Sequence, residues 1–242
     1  MESISCLTNK SINLLQRNKL LRPLLKAEIL REHISKIEIE HDLKTKIINS
    51  YIKQLGLNNE NSLKEWLRQN QLEEEEFENQ ALSKIRIKKF CESNFYHKTE
   101  SHFLQRKNQL DIVVYSLIRV RDQFKANELY MRIEEGEADF NELATKFSEG
   151  IERKTKGIVG PSPIGKAHPR LAEFIKTSAI GKVQPPIALE GFYLILRVET
   201  YDEACLDDFM KEKMSEELLN NWLDSQTNEL SSTLLSNANE GE

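Results

Sequence analysis

Turn-forming residues are crowded into one short stretch of this chain. Six of its nine Gly and five of its six Pro fall between Gly150 and Gly191, while the first 135 residues hold only Gly56 and Pro23. Gly and Pro break helices and supply the backbone angles that tight turns need. A chain this poor in both over more than half its length is excluded from the all-β sandwiches, which need turn residues at short regular spacing. Collagen-like and low-complexity chains are excluded by the same count. The distribution predicts a long helical body carrying one compact, turn-rich insert.

Composition narrows the function classes. Charged residues make up 30% and apolar residues 39%, with a net charge of −5, which describes a folded chain rather than a disordered one. The acidic balance argues against a general nucleic-acid binder. No run reaches the ~18 apolar residues of a membrane span. The start, MESISCLTNKS, has no basic residues ahead of an apolar stretch, so no signal peptide is expected. Cys6, Cys91 and Cys205 are odd in number and far apart, which predicts no disulfide framework and points to the cytoplasm. His33, His41, His97, His102 and His168 form no metal-ligand spacing, and the chain has no phosphate-binding glycine loop or nucleophile elbow. No metal and no other cofactor is expected.

Apolar spacing then assigns the elements. From Ile12 to Phe103 the period is helical. Pro23 either ends the first helix or starts the next. Leu43, Ile47, Ile48, Tyr51, Ile52 and Leu55 form an amphipathic helix closed by Gly56. Asn61 or Ser62 is the expected cap of a short helix, and Glu73 to Glu76 the acidic first turn of a long one. The period changes at Ile112–Val120, an apolar β-branched run that reads as a strand. Helices follow over Gln123–Glu135 and from an Asp139 cap. Gly150–Gly165 reads as loop with short extended pieces, and Pro169 opens a short helix. Gln184–Leu189 and Phe192–Glu199 form a hairpin candidate around Glu190-Gly191. One long helix, Leu206–Leu235, closes the chain, with Phe209, Met210, Met214 and Trp222 among its apolar positions.

The ordered motifs resemble the parvulin-type prolyl isomerases. DFNELATKFSE (Asp139–Glu149) is similar to that family's helix-and-entry signature. Gly157, Gly160 and Gly165 follow where its glycine-rich turn sits. Pro169, Leu171 and Phe174 resemble the next helix, Ile180–Ile187 the loop into the third strand, and Tyr193–Glu199 the closing strand. The flanking helices resemble the helical chaperone domain of SurA-like proteins. The resemblance implies an α+β chain: a helical chaperone-like lobe built from both chain ends, with an inserted parvulin-like small α/β domain. Its implied boundaries are 1–110 for the N-terminal helical lobe, 111–201 for the parvulin-like domain, and 202–242 for a C-terminal helix returning to the lobe.

The resemblance also implies a function, a peptidyl-prolyl cis-trans isomerase or foldase-type chaperone. Its implied clients are unfolded or proline-containing peptides, with no nucleic acid involved, and the missing signal peptide adds the expectation that they are met in the cytoplasm before secretion or maturation. The family places two histidines on facing strands. Here the first aligns with Ser116, or with Tyr115 if the register slips by one, and the second with Leu194. The family's Asp aligns with Gly150, its proline-pocket Met with Ala167 and its Phe with Leu171. The implied catalytic candidates are therefore Ser116 and Tyr115, and the peptide-binding candidates Ala167, Leu171, Phe174, Tyr193 and Leu194. Retained scaffold beside lost histidines leaves a second reading open: a non-catalytic peptide-binding chaperone or adaptor. Between Gly150 and Gly191, seven Lys/Arg stand against three Asp/Glu. The basic trio Arg153, Lys154 and Lys156 reads as a solvated loop, with a phosphate or acidic-peptide preference as the sharper alternative.

Overall fold

The computed structural model describes residues 6–57 and 59–240, with the last four of these described by backbone only. The chain falls into two compact units. One contains the N-terminal residues through His102 together with Asp207 onward, and the other is Phe103–Leu206. Both chain ends therefore build one helical unit, and the turn-rich stretch lies inside the other.

The helical unit is made of α1 (Asn9–Arg17), α2 (Leu21–Ile34), α3 (His41–Gln54), α4 (Glu60–Asn70), α5 (Glu74–Asn94) and α10 (Asp208–Glu240). Pro23 sits in the first turn of α2, where its missing N–H removes no helical bond. Glu74, Glu75 and Glu76 do form the acidic first turn of α5. The cap of α4 differs from expectation. Asn59 takes that place, its side chain accepting the Ser62 N–H at 2.7 Å while the Ser62 hydroxyl accepts the Asn59 N–H at 3.2 Å. Two adjacent polar residues had hidden the earlier one. Along α10, Leu219, Trp222 and Leu223 pack against Ile29, Cys91 and Phe95, and further on Leu230 and Leu234 meet Ile12, Leu21 and Leu25. Trp222 is the hub, with ring centroids 4.9 Å from His33 and 5.7 Å from Phe90. Phe209, read as part of the apolar stripe, is instead 73% exposed, because it lies in the first turn of α10 ahead of the packed stretch.

The second unit centres on a four-stranded antiparallel sheet of β1 (Ile112–Val120), β2 (Ile158–Pro163), β3 (Val183–Leu189) and β4 (Phe192–Asp202), in the order β2-β1-β4-β3. The two most apolar strands take the centre, as burial on both faces requires. Within Gly150–Gly165, expected as loop with short extended pieces, β2 is an extended piece that joins the sheet as an edge strand. Gly160 has φ +109°, and a side chain there would overlap the Val113 carbonyl oxygen, so glycine lets β2 close onto β1. After α6 (Thr99–Leu110), helices α7 (Gln123–Glu134) and α8 (Phe140–Phe147) cover one face of the sheet, where Ala126, Leu129, Phe140 and Leu143 pack on Ile118, Val120 and Ile195. On the other face, α9 (Pro169–Thr177) lays Leu171 and Ile175 on Leu117, Leu194, Leu196 and Val198. The alternation of side chains along β1 and β4 decides which residues reach each face.

Candidate functional site

The α9 face of the sheet is incompletely covered. An open cavity of about 520 Å³ lies between β1, β2, the hairpin tip at Leu189–Phe192, the start of α9 and a 3₁₀ turn, Ile151–Thr155. Leu117, Leu171 and Leu194 form its apolar wall, with Tyr115, Phe192, Leu189 and Ala167 around them. Pro169 is the first residue of α9, and the His168 ring caps that helix, its Nδ1 accepting the Arg170 N–H at 3.2 Å. This capping use leaves the imidazole serving helix geometry at the cavity edge, where Nε2 stands 3.7 Å from a Glu190 oxygen.

Four of the seven candidates meet at this cavity: Tyr115, Ala167, Leu171 and Leu194. Burial raises the Tyr115 hydroxyl's pKa, so it is a neutral hydrogen-bond donor across the physiological range. Ser116 is not at the cavity. Its side chain is fully buried on the opposite face, where its hydroxyl donates to Glu199, and Arg197 Nε donates to the same carboxylate oxygen at 2.8 Å. The reason is strand alternation: with Tyr115 and Leu117 facing the cavity, Ser116 must face away. Tyr193 is displaced by the same rule. It packs toward α7 and its hydroxyl donates to Gln123 Oε1 at 3.3 Å. Phe174 packs beside the α9 core without lining the cavity.

Sequence reasoning missed the charged part of the wall. Arg119 and Glu152 both line the cavity, with Arg119 Nε 3.5 Å from Glu152 Oε1. Ser148 Oγ donates to the same Glu152 oxygen at 2.7 Å and accepts the Arg119 backbone N–H at 3.1 Å. The Arg119 and Arg121 guanidinium carbons lie 5.7 Å and 5.3 Å from the centre of the Phe192 ring, within cation–π range. No carboxylate stands at Gly150, yet one from two residues along the chain reaches the cavity. The available signal was a lone acid within a basic run, masked by its neighbours Arg153 and Lys154. Arg153 itself is spent locally, its Nε donating to the Thr145 carbonyl at 2.7 Å. Among the described residues no cluster of His, Cys, Asp or Glu could hold a metal ion, and no helix is long and apolar enough to cross a membrane.

Comparison with known proteins bears on this unit directly. Residues 119–200 match the family model described as Rotamase, the PPIC-type PPIASE domain. No curated protein matches the chain. Among solved structures, the peptidylprolyl isomerase PrsA of Bacillus anthracis is 22% identical, with 89% of this chain and 97% of that one covered and a TM-score of 0.43. The foldase protein PrsA of Streptococcus pneumoniae is 18% identical over 94% of this chain and 87% of that one, with a TM-score of 0.45. A structure from Campylobacter jejuni, described under the virulence factor PEB4 and Cj1289 as SurA-like chaperones, is 17% identical over 88% and 92%, with a TM-score of 0.39.

Proposed function

We propose that this chain, which carries a parvulin-type PPIase domain across residues 119–200, is a prolyl isomerase and foldase-type chaperone for unfolded or extended proline-containing clients. The observation that carries the reading is the open apolar cavity of about 520 Å³ inside the matched domain. It is ample for a proline ring and its neighbouring peptide groups. The X–Pro bond rotates slowly because conjugation sets a barrier of about 18–20 kcal/mol. Rotation breaks no bond and transfers no proton, so an enzyme needs only to bind the twisted amide better than the planar one. Leu117, Leu171 and Leu194 offer the ring an apolar seat and exclude water from the amide dipole, which is largest when planar. The Tyr115 hydroxyl is a neutral donor at the same wall. We propose the cytoplasm as the compartment, on the sparse, widely spaced cysteines of the sequence.

A second reading has an observation of its own. The resemblance aligns Leu194 with one strand histidine and Ser116, or Tyr115, with the other; Ser116 is buried on the face away from the cavity, and Tyr115 and Leu194 line it without an imidazole. A binding module that retained the cavity without turnover fits those facts. Isomerisation of a panel of short X–Pro peptides, run beside a client-aggregation assay, separates the two. Faster isomerisation supports the enzyme; suppressed aggregation with no acceleration at high protein concentration leaves the binding module.

A further inference from the structure

The buried carboxylate of Glu152 carries an inference that rests on the peptide-binding reading of this cavity. Its side chain is only 2% exposed, on a wall that is otherwise mostly apolar. Burying a carboxylate is unfavourable unless partners compensate. Here the partners converge on one residue. Ser148 donates to Glu152 and accepts the Arg119 N–H, the Glu149 N–H donates to the Arg119 carbonyl at 2.8 Å, and Arg119 Nε faces Glu152. The turn is thus pinned to β1 at Arg119.

Gly150 makes the arrangement possible. Its φ is −95°, a value open to any residue, so the glycine is not needed for backbone freedom. It is needed for room: a Cβ at this position would overlap both Glu152 carboxylate oxygens. The other charges around the cavity are already matched or solvated. Arg121 Nε is 3.7 Å from Glu149, His168 is 3.7 Å from Glu190, and Lys166 is exposed to water. The Arg119 side chain is 37% exposed, but its Nε is buried without a hydrogen bond and faces Glu152 at 3.5 Å, so without Glu152 no carboxylate would face that side of the guanidinium.

We propose that Glu152 determines substrate specificity: by neutralising Arg119 it fits the cavity to proline peptides whose residue before proline is uncharged. Calorimetric titration with two blocked peptides tests this, acetyl-Ala-Ala-Pro-Ala-amide and acetyl-Ala-Asp-Pro-Ala-amide. The wild type should bind the first more tightly. Glu152→Gln, nearly isosteric and still able to accept from Ser148, should shift the ratio of Kd values toward the Asp peptide at least tenfold. Gly150→Ala, which displaces the carboxylate sterically, should move it the same way. Arg119→Gln combined with Glu152→Gln should abolish the shift, a reversal that a merely structural role for Glu152 would not produce. A ratio that moves less than twofold in both single variants, or a shift that persists without Arg119, overturns the proposal while leaving the peptide-binding reading intact. Failure of the wild type to bind either peptide overturns both.

Discussion

Leu171→Ala separates the wall of the cavity from the core beneath it. Leu171 is 6% exposed and does both jobs, packing in the sheet-face core and lining the cavity. Truncating a buried Leu costs about 2–5 kcal/mol, and a site bordering an open cavity belongs near the low end, ~2 kcal/mol. Its contribution to binding is separable. Methylene groups lost from an apolar pocket cost about 1–3 kcal/mol of transition-state binding, so kcat/KM should fall roughly tenfold to hundredfold. The control is Ile175→Ala, one turn along α9, 1% exposed in the same core but away from the cavity. It should lose comparable stability with kcat/KM within about twofold of wild type. Urea unfolding followed by far-ultraviolet circular dichroism is the stability measure, since Trp66 and Trp222 both lie in the helical unit and report only on that. A folded Leu171→Ala protein with unchanged kcat/KM would refute the assignment, as would an equal loss in Ile175→Ala.

Ser116→Ala should leave kcat/KM within about twofold and cost about 1–3 kcal/mol of stability, because it removes a donor to the part-buried Glu199 and nothing from the cavity; paired kinetics and urea titration check both halves. Burial, together with a hydrogen bond to Asp111, raises the Tyr201 pKa, so the folded state holds its proton after unfolded tyrosine has lost it. That contribution is complete below about pH 10 and is lost as pH rises further, so stability should decline on the alkaline side, and less steeply in Tyr201→Phe, as melting curves from pH 8 to 11 would show. Burial pushes the Cys91 thiol up to about 11, so this cysteine should resist a thiol reagent at pH 8 until the helical unit unfolds, whereas exposed Cys205 reacts in the native protein; peptide mapping after timed labelling distinguishes them.

What could be read from the chain follows from how far each signal reaches. Helix periods, the β1 run and the acidic turn at Glu74–Glu76 are local, and the structure matches them closely. The crowding of Gly and Pro marked the sheet-containing unit because sharp reversals and close strand approach need those residues. Side-chain direction did not survive in the same way. Aligning Ser116 with a family histidine says nothing about which face it joins, and the irregularity in β1 pairing near Val114 and Tyr115 makes a one-residue error sufficient to move it through the sheet. Arg119 and Glu152 were invisible for a different reason. They are 33 positions apart and meet only because the 3₁₀ turn folds back onto β1.

A cavity wall without strand histidines suits isomerisation, because rotation about the X–Pro bond has no proton to move. If the rate effect comes from seating an amide in an apolar cavity, kcat/KM should follow the wall and not a titration. The planar amide has the larger dipole and loses more on leaving water than the twisted one does. Tyr115, its pKa raised by burial, stays protonated throughout the neutral range. His168 is the one imidazole at the cavity, and its Nδ1 is occupied by the Arg170 N–H as the cap of α9. The expected profile of kcat/KM is therefore flat between about pH 5.5 and 8.5. His168→Asn keeps a capping acceptor for the Arg170 N–H, so it should give a level profile at close to wild-type rate. A bell-shaped profile that persists in His168→Asn would mean that some other group exchanges a proton during rotation, and the apolar-cavity mechanism would fall.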